Sequence, residues 1–456
     1  MTSWFLERMQ GFGDADAIIV GDRSHSYAHL LERVAAWQRR FERHGIRAGR
    51  VVALEGVSSA EACAGLLALL ACKAIAVPLT PLPAAKRAEF LALAQAESVI
   101  TLDGAGDPDG VSDRTTHTGR KANHEIYGRL RAGDRPGLVV FSSGTTGRSK
   151  ATALDFGRML DRYGPARRPQ RTLGFLNLDH IGGINTVLHT LSQGGALVTI
   201  GARTPETVCG AISAHRIQLL PTTPTFLNML LISGAAERHD LSSLELVTYG
   251  TEPMPQGTLS RLAAALPGVR LKQTYGLSEL GIMPTKSRSD DSLWVKLGGA
   301  GFDYRIRDHI LWIRSDQAML GYLNAPAPFD ADGYFNTQDA VEVDGEYVRI
   351  LGRDSEIINV AGEKVYPSEV ESVLLEMDLI ADATVSGRPS HVTGQVVRAT
   401  VKLADGYASA PDPREVSRQV RAHCRRRLEA FKVPVVVEIS DADHHSDRFK
   451  KARGGA

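Results

Sequence analysis

Leu30, Val34, Trp37 and Phe41 recur at spacings of four, three and four, which lays one apolar stripe along a helix that Ser26 is placed to cap. The period then changes. Val51–Glu55 (VVALE) is a continuous apolar run of strand length, Ala60–Cys72 has small and leucine-rich helical faces, and Ile75–Leu79 (IAVPL) is a second strand-like run. Strand, helix and strand in that order predict a βαβ unit. Further strand-like runs follow at Gly137–Ser142, Thr172–Leu178, Ala196–Ile200, Gln218–Pro221, Leu244–Tyr249 and Val269–Tyr275, with helical patterns at Ile184–Leu191 and Phe226–Ile232. Such alternation predicts mostly parallel sheets covered by helices on both faces.

After about residue 295 the pattern shortens. Runs such as Ile310–Arg314 and Tyr347–Leu351 stand between Gly, Asp and Asn turns, as in a small β-rich subdomain. Beyond Gly352–Arg353 the chain reads as compact α+β: a strand at Glu356–Asn359, a helix at Pro367–Leu375 and a second from about Glu415 to Phe431. That last helix carries Val416, Val420, Cys424, Leu428 and Phe431 on one side. The expected fold is α/β. Residues 1–354 form a large N-terminal domain of helix-covered, mostly parallel sheets plus the β-rich subdomain, and residues 355–456 form a small α+β C-terminal domain.

Composition narrows the function classes. Across 456 residues, 43% hydrophobic and 23% charged positions make an ordinary globular chain. Fifty-three Lys and Arg against 52 Asp and Glu leave a formal +1, without the electrostatic footprint of a nucleic-acid or anionic-membrane binder. From Arg414 onward, 11 Lys and Arg face 6 Asp and Glu. This tail reads either as a solvated helix face or as a lid meeting an anionic ligand. Cys63, Cys72, Cys209 and Cys424 form no CxxC pair, so a zinc or disulfide framework is not expected. The first residues, MTSWFLERMQ, lack the apolar core of a secretory signal, and Ala62–Pro78 is broken by Lys73. A cytoplasmic protein with no membrane span is the expectation.

The candidate chemistry begins at Phe141–Ala151, FSSGTTGRSKA, directly after a strand. Two glycines permit close backbone approach, Ser142, Ser143, Thr145 and Thr146 offer hydroxyls, and Lys150 with backbone N–H groups completes a nest for phosphate oxygens. It is not a Walker A loop, because Lys150 lies three positions after Gly147.

FSSGTTGRSKA resembles the phosphate loop of the adenylate-forming superfamily, which includes acyl- and aryl-CoA synthetases, peptide-synthetase adenylation domains and luciferases. Its companions stand in family order: TYGLSE at Thr274–Glu279, YFNTQD at Tyr334–Asp339, GRDSEIINVAGEKVYPSEVE at Gly352–Glu371, and the terminal segment Phe431–Arg453. The resemblance implies ATP, Mg²⁺ and CoA, or the phosphopantetheine of a carrier protein, as cofactors and partners, with a small carboxylic acid as substrate. It implies phosphate contacts from Ser142, Ser143, Gly144, Thr145, Thr146, Gly147 and Lys150, with Thr145 counted among the catalytic residues. Gly250, Thr251, Glu252, Thr274, Tyr275 and Gly276 are implied to flank the adenine, Asp339 to take the ribose, Arg353 to assist at the ribose and the phosphate, and Glu279 to hold Mg²⁺. Lys450 is the implied catalytic lysine, with Arg453 at the family spacing, although Phe449 replaces the usual glycine. Gly362 and Lys364 fall in the loop that serves the thiol step, unless they merely close a hairpin. The C-terminal domain is implied to be mobile, rotating between two half-reactions.

Two further departures are Gln338, where the ribose motif usually has glycine, and Ser355, where the hinge usually has Asp or Lys. His180, counted with Lys450 and Thr145 among the implied catalytic residues, matches the histidine that precedes a pocket-lining helix in acyl-CoA synthetases. Ile181, Gly182 and Gly183 follow it, so the carboxylate that peptide-synthetase domains use for an α-ammonium group is missing there. A simple carboxylic acid is expected. Loading of the acyl group onto a carrier protein is the alternative to CoA.

Overall fold

The computed structural model describes residues 3–102, 113–143, 149–404, 407, 412–442, 445 and 451. The first amphipathic pattern forms the helix Tyr27–Arg43, which buries Tyr27, Leu30, Val34, Trp37 and Phe41. The Ser26 hydroxyl caps it, accepting from the His29 amide at 3.2 Å. The helix Ala60–Ala71 is buried on nearly all sides, as a helix apolar all round must be. It links Val51–Glu55 to Ile75–Leu79, which pair in parallel, so the βαβ unit is present.

These strands sit in a seven-stranded sheet ordered Gly321–Tyr322, Ser149–Asp155, Gly137–Ser143, Ile75–Leu79, Val51–Glu55, Ser98–Leu102, Asp113–His117. The four strands from Gly137–Ser143 to Ser98–Leu102 are parallel. The flanking strands are antiparallel. Val51, Ile75, Val77, Val139 and Phe141 fill one face, with Phe90 stacked on Phe141. A second run pairs Leu219–Thr222, Arg171–Leu173, Ala196–Thr199 and Asp16–Val20 in parallel and ends on the antiparallel Arg23–Ser26.

The chain divides into two compact units. The first gathers residues 1–221, 276–282 and 314–329, and holds both strand runs above. The second gathers residues 222–275, 283–313 and 330–456. It contains the parallel pair Leu246–Tyr249 and Arg270–Gln273, and a six-stranded sheet with antiparallel pairings that includes Ile310–Ser315, Phe335–Asp344 and Tyr347–Arg353. It also contains a five-stranded sheet built around Ile380–Ser390 and Gly394–Leu403. The helices Pro367–Leu374 and Pro413–Arg425 pack on that sheet through Val370, Leu374, Val416, Val420 and Cys424.

Three expectations are corrected in detail. The last helix begins at Pro413, capped by Asp412, and stops at Arg425 short of Phe431. A separate 3₁₀ turn at Ala430–Lys432 follows, where Lys432 pairs with Glu369 and Glu429. The strand expected over Thr172–Leu178 ends at Leu173: the Gly174 amide still bonds to the Val198 carbonyl of the neighbouring strand, and the chain then leaves the sheet. Ser149–Asp155 is a strand that the hydrophobic pattern did not announce. Among the described residues, no helix is long and apolar enough to cross a membrane.

Candidate active site

In the first unit the phosphate-loop strand Gly137–Ser143 returns antiparallel as Ser149–Asp155, with Ser142 opposite Lys150. Gly144, Thr145, Thr146 and Gly147 lie outside the described residues, as does the side chain of Ser143. The Lys150 ammonium lies 5.0 Å over the ring of Tyr322, a cation–π arrangement. The Tyr322 hydroxyl donates to Oε1 of the buried Glu279 at 2.6 Å. One tyrosine thus joins the phosphate-loop lysine to the candidate metal carboxylate. Sequence reading missed it, because Tyr322 stands in a two-residue strand with no periodicity of its own. Gly276 is required where it stands: a Cβ there would lie 2.8 Å from the Gly281 carbonyl oxygen.

His180 caps the helix Ile181–Ser192, its Nδ1 accepting from the Gly182 amide at 3.0 Å. Asp179 is buried and accepts from the Thr80 hydroxyl at 3.0 Å. A Cβ on Gly183 would fall 1.9 Å from the Asn177 carbonyl oxygen, so this glycine lets the first helical turn press against the preceding loop.

The second unit assembles the ribose candidates on adjacent strands. Asp339 and Arg353 are cross-strand partners, joined by an ion pair at 2.8 Å. Arg353 also donates to the Thr337 carbonyl at 2.8 Å, and the Thr337 hydroxyl accepts from the Asp339 amide. The Tyr275 hydroxyl donates to the other Asp339 oxygen. Burial first, and the Asp339 charge second, hold the Tyr275 phenol well above its ordinary pKa, so it stays a donor. The result is a buried carboxylate held in one orientation from two sides.

Beside it, Gly250 allows a close approach: a Cβ there would lie 2.6 Å from the Thr274 carbonyl oxygen and from its hydroxyl. The Thr274 hydroxyl donates to the Tyr249 carbonyl at 3.0 Å. Thr251 has φ of 75°, a strained setting for a β-branched residue. Glu252 accepts from the Thr225 amide at 2.7 Å and from the Lys451 amide at 2.9 Å. The Lys451 ammonium in turn pairs with Asp382 at 3.1 Å and donates to the Ala383 carbonyl, leaving its side chain 6% exposed. Lys450 lies outside the described residues.

Gly362 closes a two-residue hairpin between Ile358–Val360 and Glu363–Val365. Ala361 (φ 53°) and Gly362 (φ 94°) are both left-handed, as a type I′ turn demands. The Asn359 side chain accepts from the Gly362 amide at 2.8 Å, and Lys364 is exposed.

Comparison with known proteins identifies the family. Residues 5–323 match the model of the AMP-binding enzyme family, and residues 369–450 match the AMP-binding enzyme C-terminal domain. A methyl-dioxo-octahydro-indenyl-propanoyl:CoA ligase of Mycobacterium tuberculosis is 32% identical over 353 residues, covering 73% of this chain and 68% of the relative. Among solved structures, the anthranilate CoA ligase AuaEII in complex with anthranoyl-AMP superposes with a TM-score of 0.81 over 98% of this chain and 95% of that one. At 19% identity that likeness shows the fold. The amide bond synthetase McbA from Marinactinospora thermotolerans superposes with a TM-score of 0.80 at 25% identity, over 99% of this chain and 98% of that one. The chain belongs to the AMP-binding, adenylate-forming enzyme family that its motifs resemble.

Proposed function

We propose that this enzyme is an AMP-forming acid–thiol ligase with CoA as the thiol. A carboxylate oxygen of the acid attacks the α-phosphorus of ATP and the bond to the β-phosphate breaks, giving an acyl-adenylate and pyrophosphate. The thiol sulfur then attacks the acyl carbon, AMP leaves, and the thiol proton passes to solvent. The observation that carries this reading is the Asp339 carboxylate, buried and oriented by Arg353 and Tyr275. A carboxylate so held suits two ribose hydroxyls, each a charge-assisted hydrogen bond. The relatives' names supply the acceptor: they are CoA ligases and a CoA synthase.

Within this reading Ser142, Ser143, Gly144, Thr145, Thr146, Gly147 and Lys150 take the phosphates. Gly250, Thr251, Glu252, Thr274, Tyr275 and Gly276 flank the adenine, and Asp339 with Arg353 holds the ribose. Lys450 stabilises the charge that develops at the α-phosphate and the attacking carboxylate. His180 stands at the start of the helix beside the acid, and Gly362 and Lys364 serve the thiol step. Residues 355–456 rotate as a lid between the half-reactions, relative to residues 1–354.

Glu279 fits Mg²⁺. Among the described residues no cluster of three His, Cys, Asp or Glu side chains offers an all-protein cage. A single buried carboxylate completed by phosphate oxygens and water is the usual magnesium arrangement. When bound, the ion would neutralise phosphate charge.

A panel of aliphatic and aromatic acids, assayed for acid-dependent pyrophosphate exchange without a thiol and for AMP release with CoA, tests the reading. Exchange with some acid, and AMP release that needs CoA, is the expected result. AMP release that needs a phosphopantetheinylated carrier protein would install the carrier alternative, and release that needs an amine would align the enzyme with the amide bond synthetase. Nucleotide binding without exchange for any acid would reduce the protein to a binder.

A further inference from the structure

The segment that carries Tyr322 is tied to two places at once. Its strand, Gly321–Tyr322, pairs antiparallel with Ser149–Asp155, setting Tyr322 opposite Thr152. The Leu320 and Leu323 amides donate to the Ala153 and Ala151 carbonyls at 2.8 and 2.9 Å. Asn324 closes the same join, its side chain accepting from the Ala151 amide at 3.0 Å and donating to the Ser149 carbonyl at 2.8 Å. At the other end, the Met319 amide donates to the Glu279 carbonyl at 2.7 Å, and the Ser315 hydroxyl donates to the Leu280 carbonyl at 2.9 Å. The backbone of residues 319–324 therefore acts as a rail. It runs from the strand bearing Lys150 to the segment bearing Glu279.

Tyr322 is the side chain that uses this rail. It is 6% exposed, its hydroxyl holds one Glu279 oxygen, and its ring face receives the Lys150 ammonium. The hydroxyl fixes the rotation of the carboxylate and leaves Oε2 as the oxygen to turn toward a cation. The ring face holds the ammonium by cation–π attraction, without engaging its N–H donors as a carboxylate would. We propose that Tyr322 is a positioning residue that sets the metal carboxylate Glu279 and the phosphate-loop Lys150 in register for Mg²⁺–nucleotide. This rests on the reading of Glu279 as the Mg²⁺ ligand.

Partners that orient a metal-binding side chain typically govern its metal affinity by 10- to 100-fold. Tyr322→Phe removes the hydroxyl and keeps the ring. It should raise the Mg²⁺ concentration for half-maximal pyrophosphate exchange about 10-fold. Calorimetry should show the Mg²⁺-dependent gain in ATP affinity falling by a similar factor, while ATP binding without Mg²⁺ stays at the native value. Tyr322→Leu removes the ring as well, and should also weaken ATP binding without Mg²⁺, through Lys150. Glu279→Gln separates the two ideas. If Glu279→Gln leaves the Mg²⁺ dependence unchanged, Glu279 is not the metal ligand and the underlying reading fails. If Glu279→Gln shifts it while Tyr322→Phe does not, the positioning role alone is overturned. A Tyr322→Phe protein that loses ATP affinity equally with and without Mg²⁺, with a lowered Tm, would show a merely structural tyrosine and overturn the role as well.

Discussion

Gln338 occupies a backbone setting that its side chain does not favour. Its φ is 60°, it is exposed, and its amide is tied to the Asn336 side chain at 2.9 Å, one residue before the candidate ribose carboxylate. A left-handed non-glycine residue costs about 1–2 kcal/mol, and a glycine there returns about 0.4–1 kcal/mol of that through its freer unfolded chain. Gln338→Gly should therefore stabilise the protein by about 0.5–1 kcal/mol in urea unfolding, with ATP binding unchanged. Loss of stability would mean that the Gln338 side chain makes a contact worth more than the strain. The departure from the family's glycine was legible in the sequence, but its backbone cost was not, because residue type alone does not fix φ. The terminal lysines divide in the same way. Sequence spacing favours Lys450 over Lys451, and the structure adds that Lys451 is already engaged, with its ammonium on Asp382 and its amide on Glu252. Lys450→Ala should abolish pyrophosphate exchange while thioester formation from pre-formed acyl-adenylate stays within a few-fold of native. Lys451→Met should instead cost about 3 kcal/mol of stability, as removing one partner of a buried ion pair does. Exchange lost in a stable Lys451→Met protein would shift the catalytic register by one residue.

At the scale of elements, legibility followed the strength of the apolar period. The stripe of Tyr27–Arg43 is long and capped, and the helix appears where the pattern puts it. Ser149–Asp155 went unseen because its residues, SKATALD, are small and polar, yet the strand is almost wholly buried by its neighbours in the sheet. The cover comes from elsewhere in the chain, so the local sequence does not carry the signal. The hairpin at Ala361–Gly362 shows the reverse case. Its turn chemistry was legible as one of two readings, and the structure shows the hairpin itself, which leaves the thiol-step role to experiment. Gly362 has φ of 94° and open space where a Cβ would stand, so the first side-chain atom of Gly362→Leu meets strain but no clash. The cost should stay near 1–2 kcal/mol. Pyrophosphate exchange should remain near native and thioester formation should stop. Parallel loss of both would mean that the substitution acts through folding, and Gly362 and Lys364 would leave the thiol step.

The whole molecule distributes its candidate residues in a way that no single boundary along the chain expresses. Ser142, Lys150, His180, Gly276 and Glu279 belong to one compact unit, while Gly250, Thr251, Glu252, Thr274, Tyr275, Asp339, Arg353, Gly362 and Lys364 belong to the other. The motifs disclosed these residues because each is local. The interleaving was hidden, because the segments 276–282 and 314–329 join the first unit through tertiary contacts: Tyr322 bonds to Glu279 across 43 positions, and Gly321–Tyr322 pairs with Ser149–Asp155. The division makes the nucleotide's parts separable by experiment. AMP carries the ribose without the β- and γ-phosphates, and pyrophosphate carries phosphates without a ribose. In hydrogen exchange, AMP should slow the amides of residues 334–340 and 349–353, around Asp339 and Arg353. Magnesium pyrophosphate should slow those of residues 149–155, 279–282 and 319–324, around Lys150 and Tyr322. Asp339→Ala should remove the first protection and keep the second. It should also weaken ATP and AMP binding comparably, because both lose the same acceptor of two ribose hydroxyls, at about 1.5–3 kcal/mol per charged hydrogen bond at most. AMP affinity that survives Asp339→Ala would take this carboxylate out of the nucleotide site. Protection by pyrophosphate around Asp339 instead of around Lys150 would exchange the ribose and phosphate assignments of the two units.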